Sequence, residues 1–149
     1  MSSGPDARAH GARRRAREVA FRVAYQADMA GDGYAQAWAL RREQEEKLTS
    51  DQLELIGDLV ALLESSAPKV DDELRSAIAE RWEVTRLAAT DRAVLRVAVA
   101  ELLARPGSPA RVVLDEAIEI ARTFGGPDSG SFVNGVLDRA ARNLRPAEF

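Results

Sequence analysis

The stretch FGGPDSGSFVNGVLD, residues 124–138, constrains the fold more tightly than any other part of this chain. Gly125 and Gly126 stop a helix, Pro127 suits a first helical turn, and either Asp128 or Ser129 offers an oxygen to the next helix's unpaired amides. One helix therefore ends and another begins within a few residues. Beyond the turn, Phe132, Val133, Val136, Leu137, Ala140 and Ala141 recur at helical spacing. Asn134 and Gly135 stand among them, and a mid-helix Gly costs ~1 kcal/mol relative to Ala. That cost points to close packing or to function at this spot.

The same punctuation divides the rest of the chain. Residues 1–7, rich in Ser, Gly and Pro, read as a disordered tail, and residues 8–145 as one helical domain. A first helix over 8–30 ends at Gly31, with Ala12, Ala16, Val19, Ala20, Val23, Ala24 and Ala27 as its apolar stripe. That spacing leaves Arg13, Arg14 and Arg17 on other faces, available to solvent or a ligand. A second helix over 34–47 is anchored by Trp38. Thr49, Ser50 and Asp51 cap a third running to 66, whose buried side is Leu55, Ile56, Leu59, Val60, Leu62 and Leu63. Pro68 opens a fourth over 70–82, with Val70, Leu74, Ala77, Ile78 and Trp82 inward. A fifth, from 86 or 90 to 105, turns Leu95, Ala98, Val99, Leu102 and Leu103 inward and keeps Asp91, Arg92, Arg96 and Glu101 on its polar margin. Ser108-Pro109 then caps a sixth to 124, and Pro127 begins the seventh, to about 144. Little alternates with a two-residue period, so the fold class is all-α. Short loops predict a compact bundle of about seven helices, three in an N-terminal half and four in a C-terminal half. At 149 residues and 46% hydrophobic content the chain supports one core.

Composition also narrows the chemistry. The chain has no Cys and one His, His10 in its polar start, which removes thiolate metal sites, disulfides and cysteine nucleophiles and disfavours histidine catalysis. No metal or cofactor is expected. No apolar run approaches the roughly 18 to 20 residues of a membrane span and no signal peptide is visible, so a cytoplasmic protein is expected. The net charge of −3 is unevenly spread: residues 1–22 hold six Arg against Asp6 and Glu18, or +4, leaving −7 for the remainder. A basic end on an acidic body suits contact with a polyanion, while the acidic remainder suppresses indiscriminate binding. A solvated tail with no specific partner fits the charge equally well.

Four ordered blocks, ARRRAREVAFRVAYQAD (12–28), DRAVLRVAVAELL (91–103), VVLDEAIEIARTFG (112–125) and DSGSFVNGVLD (128–138), resemble the NusB family of bacterial transcription antitermination factors in order and spacing. The resemblance implies an all-helical, non-catalytic protein. Its partners would be the single-stranded boxA element of nascent RNA and a small-subunit ribosomal protein, NusE, in a complex that keeps RNA polymerase from terminating early on ribosomal RNA operons. Members resembling this chain occur as monomers and as homodimers, so a homodimer is a further possibility. The same fold heads some rRNA cytosine methyltransferases, which need a catalytic domain and cysteine nucleophiles, and a Cys-free chain of this length disfavours that branch.

Carried onto this sequence, the resemblance makes Arg13, Arg14, Arg15 and Arg17 the arginine-rich motif that positions phosphates. Tyr25, Phe124 and Phe132 become candidates to stack on splayed bases. Each of the three has a core reading beside it. Asp128 and Ser129 would lie on or near the RNA surface while also capping a helix, and Asp91, with Arg92 beside it, matches an acidic position at the RNA and partner surface. Two positions depart from the family pattern. Ala100 stands where an aromatic is frequent, altering packing or the partner surface. Ser131 replaces a basic residue before Phe132 and removes a phosphate contact, which predicts weaker, less salt-sensitive RNA binding and greater reliance on the protein partner. The alternative is a helical protein–protein scaffold whose basic N-terminal segment does nothing specific.

Overall fold

The computed structural model describes residues 5–79 and 83–149, with side chains described from residue 11 onward and again outside 80–82. Six α-helices follow one another: α1 (Pro5–Ala30), α2 (Tyr34–Arg42), α3 (Ser50–Ala77), α4 (Ala89–Ala104), α5 (Ala110–Phe124) and α6 (Ser129–Leu144). Short 3-10 turns occupy Val84–Arg86 and Pro146–Glu148. No strand occurs among the described residues, as expected of an all-α chain. Residues 1–4 of the expected tail and the core candidate Trp82 lie outside the described residues.

The helix count is one lower than the sequence predicts, because the expected third and fourth helices are one. Pro68 bends α3 instead of ending it: Ser66 leaves helical geometry (φ −136°, ψ 29°) and the helix resumes toward Ala77. A proline removes one ladder amide and crowds the preceding turn, and kinking satisfies both constraints at less cost than stopping. Helix α1 begins at Pro5, three residues before its expected start. Helix α2 ends at Arg42 and not near Lys47, because the segment after it is drawn onto α1, where Arg15 donates to the carbonyls of Glu46 (3.0 Å) and Lys47 (3.2 Å).

Several ends form as their residues dictate. Gly31 terminates α1 with φ +74°, a conformation that side chains with a Cβ rarely adopt. Thr49 opens α3 with a reciprocal capping box: its hydroxyl accepts from the Gln52 amide at 3.2 Å, and the Gln52 side chain accepts from the Thr49 amide at 2.8 Å. The start of α5 differs from expectation. Ser108 does not cap it; Glu148, 38 residues downstream, accepts from the Ala110 amide at 2.8 Å. Arg145 completes this clamp by donating to the carbonyls of Leu102, Arg105 and Ser108. The C-terminal turn thus holds the α4–α5 connection in place.

Helix α4 is the centre of the bundle and packs on α1, α3, α5 and α6. From Ala93 to Leu102 every residue except Arg96 is buried, so α4 joins the N-terminal helices α1 to α3 and the C-terminal helices α5 and α6 around one core. Ala100 is fully buried, which makes its departure from the family pattern a matter of packing and not of partner contact. The α1 stripe from Ala16 to Ala27 is buried as predicted, apart from Ala12 at its margin. Trp38 is half-buried against the core, under the Arg42 guanidinium.

Glu101 does not lie on a polar margin. It is 1% exposed, and Arg17 of α1, 4% exposed, donates to it through both Nε and Nη2 at 2.7 Å. Two charges leave water together here, and each is tolerable only because the other is present.

Removing one partner therefore leaves an uncompensated buried charge. Glu101→Ala should destabilise the fold by about 3–5 kcal/mol, whereas the double change Arg17→Met with Glu101→Leu should recover most of that loss, as read by urea unfolding midpoints. The clamp predicts a pH effect. The Ala110 amide, and then Arg145, hold the Glu148 carboxyl below its ordinary value of 4.5. A lowered carboxyl stabilises the fold above its unfolded pKa and loses that contribution as pH falls through its folded value. Hydrogen-exchange protection of the Ala110 amide, corrected for intrinsic rate, should be flat above about pH 5 and fall in acid, and Glu148→Gln should abolish the dependence.

Candidate RNA interface

The arginine-rich motif does not present one cationic face. Its four members spread around the middle turns of α1, with Arg13 and Arg17 on one side and Arg14 and Arg15 on others, and their surroundings assign them different tasks. Arg17 is the buried structural partner of Glu101, which corrects its assignment to an exposed face and to phosphate contact. Arg15 is half-buried, its Nη1 and Nη2 engaged by backbone carbonyls and its charge 3.8 Å from Glu45. Arg14 forms a forked pair with Glu116 of α5, at 2.8 and 3.2 Å, with its own side chain 43% exposed and Glu116 1% exposed. The hydrogen bond to Glu116 raises the Arg14 pKa above its ordinary value, so the guanidinium stays charged at any physiological pH. Arg13 is exposed.

Further along the same side of α1, an aromatic and cationic cluster bridges to the end of α5. The ring of Phe21 lies 5.0 Å from that of Phe124 and 6.3 Å from that of Tyr25, and the Arg22 guanidinium sits 4.9 Å over Phe124. Phe21 is buried, Phe124 half-buried, and Tyr25 and Arg22 exposed. The core and surface readings of Phe124 are thus both true: it rests on Phe21 and offers its remaining edge outward. Sequence reasoning missed Phe21 as the floor of this cluster and counted Arg22 only as charge. The signal was present, since Arg14, Phe21 and Tyr25 fall on one helical face at steps of seven and four.

The α5–α6 turn carries the next group. Gly125 is required there by contact and not by torsion: a Cβ would lie 2.7 Å from the Ala121 carbonyl oxygen and closer still to the Ser129 side chain. Ser129 is buried, and its hydroxyl accepts from the Gly126 amide at 3.0 Å. It locks the turn from inside, which corrects its place among surface contacts. Asp128 is exposed and makes no capping hydrogen bond, so its carboxylate faces solvent. Phe132 is half-buried against the core and Ser131 is exposed. Gly135 shows no close packing, since a Cβ there would meet only the Arg139 guanidinium at 3.8 Å. Nothing in the structure explains this glycine.

Asp91 and Arg92 lie elsewhere. Arg92 reaches Asp28, in the last turns of α1, at 2.9 Å and also donates to the Leu87 carbonyl at 2.7 Å. Asp28 sits 14 residues beyond Arg14, or about 21 Å along the helix, so the two groups lie far apart on α1. Arg92 is directed into the protein, with its side chain 13% exposed, which argues against a partner contact of its own. Asp91 is half-buried and its Oδ1 has no hydrogen-bond partner among the described residues. Among the described residues no group of three His, Cys, Asp or Glu side chains could hold a metal ion. No helix there is long and apolar enough to cross a membrane.

If Glu116 restrains Arg14 without being needed for folding, Glu116→Gln should leave Arg14 in place and loosen the pair. Binding of a short single-stranded RNA should then tighten about threefold, as read by anisotropy at fixed salt, through removal of one competing charge.

The chain as a whole has counterparts of known family. The NusB family profile matches residues 14–142. The transcription antitermination protein NusB of Koribacter versatilis is 39% identical over 138 residues, spanning 90% of this chain and 91% of its own. That of Deinococcus deserti is 41% identical over 147 residues, spanning 92% and 84%. Among solved structures, T. maritima NusB superposes with a TM-score of 0.82 at 33% identity, covering 91% of this chain and 94% of that one. A NusB solved with NusE and double-stranded RNA shares the fold, with a TM-score of 0.80 at 24% identity over 89% and 97%. Matched across nearly its whole described length in both sequence and fold, the chain belongs to the NusB family.

Proposed function

We propose that this chain is a transcription antitermination factor that binds single-stranded boxA-type RNA jointly with the small-subunit ribosomal protein NusE. In that complex it keeps RNA polymerase processive on ribosomal RNA operons. The observation that carries the reading is the cluster of Arg22, Tyr25 and Phe124 over Phe21, which sets a guanidinium group on an aromatic platform, with Arg14 about 10 Å further along the same side of α1. Single-stranded RNA is bound by that combination, with cations on the phosphates and rings on unstacked bases. Membership in a family whose curated relatives carry the antitermination name supports it.

The residues divide by role. Arg14 and Arg22 position boxA phosphates and Arg13 a phosphate of the adjoining RNA; Phe124 and Tyr25 stack, with Phe132 extending the platform; Asp128 accepts hydrogen bonds from base edges. Arg15 and Arg17 act indirectly, Arg15 by strapping the segment after α2 and Arg17 by setting the angle of α1. Asp91, with its unpartnered buried oxygen, receives a donor from the protein partner, and Arg92 holds the supporting turn. The work requires no catalysis and no cofactor, takes place in the cytoplasm, and uses residues 8–145 as a single unit.

Anisotropy titration of boxA RNA against a scrambled control, with and without NusE across a salt series, tests the reading. Selective binding that tightens with NusE is expected; equal affinity for both RNAs, unmoved by NusE, would favour a scaffold with a generic basic end. Arg14→Ala and Phe124→Ala should each weaken boxA binding about tenfold with the helical content unchanged. Ser131→Arg should restore a phosphate contact, tightening binding and steepening the dependence of log K on log salt by about 0.7.

A further inference from the structure

We propose that the groove between the middle turns of α1, at Arg13 and Arg17, and the α4–α5 turn binds a nucleotide of the RNA flanking the segment held at Phe124. The proposal rests on the RNA-binding reading and adds a second subsite to it. The groove encloses about 610 Å³, within the range of small-molecule sites and ample for one nucleotide. Pro106, Pro109 and Val112 give it apolar walls above the buried Leu55, while Arg13 and Arg105 stand at its polar side.

Three features distinguish it from an ordinary surface furrow. Arg13 is the one member of the arginine motif with no hydrogen bond or ion pair among the described residues, and it lines this groove and not the Phe124 face. Arg17 forms part of the same wall; it is 4% exposed, and its Nη1 is buried with no hydrogen-bond partner. The far wall is rigid before any ligand arrives, because Arg145 and Glu148 clamp the turn through the carbonyls of Leu102, Arg105 and Ser108 and the amide of Ala110. A preformed wall avoids the ordering cost of binding. The one carboxylate in the lining, Asp58, is paired with Arg105 at 2.7 Å and does not repel a phosphate as a lone charge would. Arg13 and Arg14 are adjacent in sequence on different faces of α1, so a strand that runs from the Phe124 platform to Arg14, about 10 Å along the helix, meets the groove next. The base would lie against the exposed Pro106 and Pro109 with its phosphate on Arg13.

The test compares boxA RNA alone with boxA RNA carrying two extra nucleotides at the 5′ or the 3′ end, bound to the full chain and to Gly107→Glu. A Cβ at Gly107 meets nothing within 4 Å and its φ is ordinary, so the variant folds and places a carboxylate in the groove. One extension should tighten binding to the unchanged protein about fivefold. Gly107→Glu should erase that gain while binding unextended boxA as the unchanged protein does. An extension gain that survives in the variant, or no gain from either extension, overturns the subsite and leaves the boxA site standing. Absence of any boxA preference over a scrambled RNA in the unchanged protein instead overturns the RNA reading and the subsite with it.

Discussion

The pair between Arg17 and Glu101 sets the geometry on which the rest of the molecule depends. It joins the middle of α1, whose buried stripe is rich in alanine, to the last turns of α4. Alanine stripes let helices come close but specify register weakly, because few large side chains interlock across them. A forked guanidinium–carboxylate contact at 2.7 Å specifies both rotation and axial position. Once α1 is fixed in that register, Phe21 falls under Phe124 and Arg14 falls opposite Glu116. The surface cluster is in this sense a consequence of a buried one.

The same arrangement shows how a protein of net charge −3 can present cations selectively. The arginines of α1 are dispersed by helical geometry, and carboxylates and carbonyls occupy several of them from within. Arg14 is the informative case. Its partner is buried and its own side chain is half outside, so it can turn toward a phosphate only by giving up a charged neighbour. Binding through such a residue is an exchange of one anion for another, which lowers affinity for any polyanion and leaves the aromatic contacts to decide among RNAs.

Much of the fold was legible in the sequence because its signals are local. The punctuation at Gly31, Thr49 and Gly125 each reports its own turn, and the apolar stripes of α1 and α3 are buried nearly as their spacing implies. What was not legible depends on residues far apart in the chain. Glu101 on its own helix looks like a polar margin; only Arg17, 84 residues earlier, makes its burial possible. The cap of α5 is equally remote, and Pro68 carries one signal for both a kink and a start. At the site, the family resemblance treated Arg13 to Arg17 as equivalent. The structure separates Arg13 and Arg14 from Arg15 and Arg17, and it moves Ser129 and Arg92 into supporting positions.

The central claim is that the arginine motif has a structural member and a ligand-facing member only three residues apart. The most direct measurement is an NMR titration with boxA RNA that follows the arginine side-chain Nε–Hε resonances. Arg14 and Arg22 should shift and saturate with bound RNA, while Arg17 keeps its position and its slow hydrogen exchange throughout. A shift at Arg17 as large as that at Arg14, with its exchange accelerated, would contradict the account, since it would mean that RNA binding draws on the buried pair instead of resting upon it.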